Sequence, residues 1–305
     1  MVHTIVKPKK KPMSRADITY NVICGIVFFL LALICFFPFY YLFICTISDP
    51  QLVEVGQITL MPRGLTLKNY QEVLKVQNLG ISALVTVLRA VIGTVSSTLC
   101  SAYLAYFFTK ENMWGRKFWY RLVVATMYFS AGMIPNYLNN RSLGLLNSFW
   151  VYIVPGLVGV YNMILIKTSM EALPAELEES AVLDGAGYMT RLFRIVLPLS
   201  KPILATVALF SMVNHWNDFF TTQLYITNPR LYTLQFLLYE FLQQVTNQAS
   251  NLNEMHEGLS SVINTVRPTS IRLTLTAVIM IPIMCVYPFV QRFYVKGIMI
   301  GAVKG

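Results

Sequence analysis

The sequence predicts an all-α polytopic membrane protein with six transmembrane helices. Two observations carry that expectation. The chain is 55% hydrophobic and only 12% charged, with a mean hydropathy of +0.56; a soluble domain carries about 25% charge. Several apolar runs also exceed the ~18 residues that mark a helix able to cross a bilayer. The net charge of +10 would suggest nucleic acid in a soluble protein. Here the basic residues flank apolar runs, so they read as topology signals and no nucleic-acid partner is expected.

Taken in order, the chain starts with a basic tail, 1–19, holding Lys7, Lys9, Lys10, Lys11 and Arg15. The first span comes next, at 20–47. It is too long for a signal-peptide core, and further spans come after it, so it reads as a membrane helix. The other spans are expected at 80–109, 117–136, 149–170, 202–226 and 271–294. Six spans put both termini on one side. With the tail inside, roughly 16 of the 24 Lys and Arg lie at inner segments and about seven outside, the bias expected of cytoplasmic loops. Both termini are therefore expected in the cytoplasm and the chain in a plasma membrane. Pro135, Pro155, Pro282 and Pro288 fall within spans three, four and six, as shaping kinks or as bends that move. The five cysteines lie in apolar runs and read as small packing side chains, without the spacing of a metal site.

The inner segment 171–202 is polar and charged between two apolar runs. Pro174 suits a first helical turn. Glu176, Glu178 and Glu179 come next, where acidic charge favours the positive end of a helix dipole. Leu173, Leu177 and Ala181 repeat at i, i+4 as a narrow apolar stripe. Gly185 and Gly187 break the helix, Asp184 is placed to cap the next one, and a second amphipathic turn (Leu192, Ile195, Val196) runs to a stop at Pro198. Such a unit can lie flat at the membrane surface and expose an acidic edge to another protein.

Glu179-Ser180-Ala181, then Gly185, then Ile195 and Leu197-Pro198, resembles the EAA loop of ABC-importer permeases, with Ser180 in place of the usual middle Ala. The wider stretch EESAVLDGA is similar to the carbohydrate, maltose-type branch. The six spans, the loop position and the ending 287–305 resemble its smaller permease subunit, as found in Gram-positive oligosaccharide permeases. The resemblance implies a type I importer fold and one permease domain, 20–305. It implies a second permease, two cytoplasmic ATPase subunits that bind ATP and Mg, and an extracellular solute-binding lipoprotein that delivers a sugar. Glu178, Glu179, Ser180, Ala181, Asp184, Gly185 and Ala186 would then couple to the ATPase rather than catalyse. The chain has no Gly-Lys-Ser/Thr phosphate loop of its own, so no cofactor is expected in it.

Two regions read as the solute's route. A charge inside a membrane helix costs about 2.5–3.5 kcal/mol on insertion scales. Arg89 lies about ten residues into the second span, and Asn214, His215, Trp216, Asn217 and Asp218 cluster in the fifth. Amides, a carboxylate and an aromatic face suit a sugar, and Asp218 can pair with Arg89; the same residues would also glue helices together at an interface. The outer segment 227–270 is long for a loop. The resemblance implies that it reaches the binding protein, with Tyr232, Leu234, Phe236 and Tyr239 as the probing surface; packing on the pore mouth is the other reading. An ion-coupled carrier fits poorly: it usually shows internal repeats and several midplane acids, and here one Asp and an EAA-type loop stand instead. A membrane enzyme fits poorly too, for want of an acid–base set.

Overall fold

The structure is a computed structural model, which describes residues 14–252 and 268–302. Lys7 to Lys11 of the basic tail, the 253–267 part of the outer segment and the last three residues lie outside the described residues. Among the described residues every regular element is helical.

α1 spans Arg15–Thr46. Asp17 starts it by accepting the Ser14 N–H at 3.1 Å, satisfying one orphan donor of the first turn. Its outward length is exposed on the monomer, and only Leu42, Ile44, Cys45 and Thr46 are buried. Two short helices come next, α2 (Pro50–Glu54) and α3 (Lys68–Leu74). The buried Asn69 amide stitches them to α1, donating to the carbonyls of Thr46 at 3.0 Å and Ser48 at 2.9 Å.

α4 runs unbroken from Leu79 to Thr109. The middle of its buried face is built of small residues, among them Ala90, Gly93, Ser97, Ser101, Ala102 and Ala105. Small residues let neighbouring helices approach closely where lipid offers no hydrophobic drive for association. Gly93 shows how closely: a Cβ there would lie 2.5–2.8 Å from the His215 ring.

The third expected span is not one helix. α5 (Arg116–Thr126) ends, six residues without helix intervene, and α6 (Met133–Ser142) begins. Pro135 therefore stands in a first turn, where a missing N–H is harmless, and it kinks nothing. The fourth span starts as two 3₁₀ turns, Phe149–Tyr152 and Val154–Gly156, the second opened by Pro155. It then bends by 48° into α7 (Val160–Glu171).

The inner hairpin comprises α8 (Glu176–Leu183), α9 (Tyr188–Arg191), a π-turn at Leu192–Val196 and α10 (Leu197–Leu199). The segment Tyr188–Leu199 meets α11 (Lys201–Asn217) at 83°. That segment therefore stands almost at a right angle to α11. The stop falls at the buried Ser200 and not at Pro198, which the π-turn accommodates: widening the preceding turn frees the carbonyl its ring would strike.

The fifth span is also interrupted. α11 ends at Asn217 and α12 (Phe220–Tyr225) resumes after a two-residue break. The outer segment is largely helical where described: a 3₁₀ turn at Pro229–Leu231, then the amphipathic α13 (Leu234–Leu252). α14 (Pro268–Ala302) closes the fold and contains Pro282 and Pro288 without ending at either. Thus α1 and α4 are continuous and apolar enough to cross a membrane, and the spans ending in α7 and α11 are bent. Of the cysteines, Cys45 is buried, whereas Cys35 and Cys285 are exposed and do not pack as expected.

Two of the buried apolar clusters bear on the site. An inner cluster joins Ala105, Tyr106 and Phe108 of α4 to Met163, Ile166 and Met170 of α7, Leu192 and Val196 of the hairpin and Val207 of α11. An outer cluster joins Val73, Leu79, Leu234, Leu237, Leu238, Leu275 and Ile279. Between them lies the polar site.

Candidate functional site

The inner hairpin is built by local chemistry. α8 ends in a Schellman motif: Ala186 N–H donates to the Ala181 carbonyl at 2.9 Å and Gly185 N–H to Val182 at 3.0 Å. This closure puts Gly185 at φ +77°, which is why a glycine stands there. Asp184 is the C-cap residue of α8 and does not cap the next helix; Gly187 precedes α9 instead. Leu173 and Ala181 turn into the core, while Leu177 stays partly exposed. Glu179, Ser180, Asp184 and Gly185 are exposed, beside Leu183 at 88% exposure.

Glu178 departs from the expected acidic edge. Its carboxylate faces inward and is bonded by the Tyr106 hydroxyl at 2.5 Å, by the Lys110 ammonium and by Arg191 Nη1 at 3.4 Å. Lys110 also stands 4.0 Å over the Tyr106 ring. Burial alone would raise the Glu178 pKa; the bonds from Lys110 and Tyr106 and the nearby cations outweigh it and hold the carboxyl below its ordinary value. It is ionised at neutral pH and locked to α4.

The second site is a cavity of about 820 Å³ where α11 breaks. Asn136, Asn139, Asn140, Tyr152, Tyr225 and Phe220 line it, with Arg89, Asn214, His215, Asp218 and Thr221. Arg89 is 2% exposed. Its guanidinium pairs with the Asp218 carboxylate and donates to the Asp218 carbonyl at 2.7 Å. The pair explains the break. Ending α11 frees carbonyls, and a cation at a helix C-terminus answers them. The same carboxylate accepts the Thr221 N–H at 3.0 Å and its hydroxyl at 2.5 Å, starting α12. Arg89 also stands 4.4 Å over the Tyr152 ring.

The fold brings the sequence candidates Arg89, Asn214 and Asp218 to one place. Trp216 does not belong with them: it is 5% exposed and its indole N–H donates to the Ile279 carbonyl at 3.2 Å, away from the cavity. Asn217 is exposed but does not line the cavity. Sequence reasoning misses the amides of α6 and Tyr152, although Asn136, Asn139 and Asn140 at i, i+3, i+4 spacing mark a polar helix face.

The outer residues are placed differently from the expected probe. Leu234 is 4% exposed because the apolar face of α13 folds onto α4 and α14, and Phe236 is 7% exposed between Tyr232 and Tyr239. Tyr232 packs edge-on against Phe236, and Tyr239 stacks on Phe219 at 4.6 Å. In this conformation they serve packing.

The sequence matches the family described as "Binding-protein-dependent transport system inner membrane component" over residues 13–300. It is 35% identical over 274 residues to the polygalacturonan/rhamnogalacturonan transport system permease protein YtcP of Bacillus subtilis (strain 168), covering 90% of this chain and 94% of the relative. It is 36% identical over 273 residues to protein LplC of the same organism, covering 88% and 89%. The structure superposes with a TM-score of 0.82 and 27% identity on a chain in the crystal structure of a bacterial ABC transporter involved in the import of the acidic polysaccharide alginate. That match covers 93% of this chain and all of the other.

Proposed function

Because this chain belongs to the family of binding-protein-dependent transport system inner membrane components, we propose that it is one permease half of an ATP-driven oligosaccharide importer. It is a transport component and not an enzyme. It pairs with a second, related permease in the bacterial plasma membrane, with both termini in the cytoplasm. Two separate subunits bind ATP and Mg, and a solute-binding lipoprotein delivers the sugar outside. The exposed residues of the hairpin, Glu179, Ser180, Asp184 and Gly185, face the ATPase, with Ala181 and Ala186 shaping the surface behind them.

The observation that carries this reading is the cavity at the break of α11. Its size falls within the ~300–1,000 Å³ usual for ligand pockets. Its amides suit hydroxyl groups, and the exposed Phe220 with the half-buried Tyr225 offers ring surface for a sugar. Its principal charges, Arg89 and Asp218, neutralise each other. Transport proceeds by alternating access: closure of the ATPase pair displaces the hairpin, and the helices around the cavity rock between outward and inward openings. The relatives' substrates, polygalacturonan/rhamnogalacturonan and alginate, point to uronate-containing oligosaccharides as the first to test.

The test is to purify the complete complex with its binding protein in proteoliposomes. Neutral and uronate-containing oligosaccharides are then screened for stimulated ATP hydrolysis and uptake. Stimulation by one sugar series is the expected result. Concentrative uptake by this chain reconstituted alone would overturn the reading.

A further inference from the structure

The carboxylate of Glu178 points away from the surface an ATPase would occupy, and its partners come from α4 and α9. We propose that Lys110, Tyr106 and Arg191 are positioning residues that lock the docking hairpin onto α4, making α4 the rod that carries motor displacement to the cavity. This rests on the importer reading above. Three observations support it.

The first is saturation. Both Glu178 oxygens are engaged, Oε1 by Tyr106, Lys110 and Arg191 and Oε2 by Lys110 at 2.5 Å. Charge-assisted bonds of this kind are about twice as strong as neutral ones, and they leave the exposed Glu176 and Glu179 of the same helix to face another protein. The second is continuity. α7 joins its outer part through a 48° bend, and α11 meets the hairpin through an 83° bend at Ser200. α11 also reaches the cavity, but only from beyond that right-angle bend, whereas α4 runs straight from beside Glu178 to Arg89 as one helix. From Tyr106 to Arg89 that is roughly 25 Å at 1.5 Å per residue. The third is that the far end is also pinned by charge, through Arg89 and Asp218. A push on α8 thus reaches the break of α11 through two ion pairs and one rigid helix.

The experiment uses the whole complex in proteoliposomes with Lys110→Met, Lys110→Arg, Tyr106→Phe and Glu178→Gln. ATPase co-purification is expected to be unchanged in Lys110→Met, while sugar taken up per ATP hydrolysed falls about tenfold. Lys110→Arg should restore most of it. Tyr106→Phe, which removes one oxygen, should give a smaller loss and keeps the test open where Lys110→Met assembles poorly. The double variant Lys110→Met with Glu178→Gln should be no worse than either single change. Wild-type coupling ratios in Lys110→Met and Tyr106→Phe, or additive losses in the double variant, would overturn the proposal. Loss of ATPase co-purification in Glu178→Gln but not in Lys110→Met would make Glu178 a direct motor contact and overturn it as well. A wild-type complex without ATP-dependent uptake would instead remove the importer reading, and this proposal with it.

Discussion

Gly185 and Gly93 are glycines for opposite reasons. At Gly185 nothing lies within 4 Å of an added Cβ, so only its φ of +77° forbids a side chain. Gly185→Val should strain the hairpin by about 1–2 kcal/mol and weaken ATPase co-purification, whereas Gly185→Asn should be milder because asparagine tolerates that region. At Gly93 the backbone is ordinary and the space is missing, since the His215 ring lies on it. Gly93→Ala should lower the melting temperature of the purified complex, by about 1–3 kcal/mol of overpacking. Adding His215→Ala should return part of that loss. An unchanged melting temperature in Gly93→Ala would show that α4 and α11 pack less closely than the structure has them.

At the scale of elements, breaks matter more than helices. The interruption of α11 is held open by one residue, Asp218, whose carbonyl ends one helix and whose carboxylate starts the next. α13 is tied down differently. The Leu234 N–H donates to Thr86 Oγ1 at 2.9 Å inside the outer cluster. Thr86→Val keeps the shape and removes the acceptor, leaving a buried N–H unpaired at a cost of about 1–3 kcal/mol. Hydrogen exchange across the first turns of α13 should speed up in that variant; protection equal to wild type would mean that packing alone holds the helix. The family resemblance implies an outward probe at Tyr232, Leu234, Phe236 and Tyr239, and packing on the pore mouth is the reading left beside it. Sequence cannot tell an apolar face laid on the protein from one offered to a partner.

For the whole molecule, the Arg89–Asp218 pair joins α4 to the hinge of the fifth span, so its loss should be felt globally. Arg89→Met strands the Asp218 carboxylate; because that side chain is 30% exposed at the cavity, the loss should fall below the ~3–5 kcal/mol that breaking a fully buried pair costs. Asp218→Asn in the same chain should recover much of the stability, read as the yield of monodisperse complex, without recovering uptake. Full recovery of both would reduce the pair to a structural brace. Much of the remaining surface is apolar: on the monomer, α1 exposes nearly its whole outward length. In a membrane that face meets lipid or a second permease, and neither requires it to be buried within one chain.

The sequence alone determined what is local or what the bilayer dictates. Apolar runs announce membrane helices because unpaired backbone groups are intolerable in lipid. The hairpin is legible because caps, turn glycines and prolines act within a few residues of themselves. Only the tertiary structure decided where helices are interrupted and which way their side chains face. Trp216 and Asp218 stand two residues apart, yet one packs on α14 and the other lines the cavity. Glu178 and Glu179 are adjacent, yet one is clamped to α4 and the other is exposed. The reason is physical. In a membrane protein both lipid and core accept an apolar side chain, so the hydrophobic pattern loses the contrast that would orient a helix, and long-range polar pairs do the orienting.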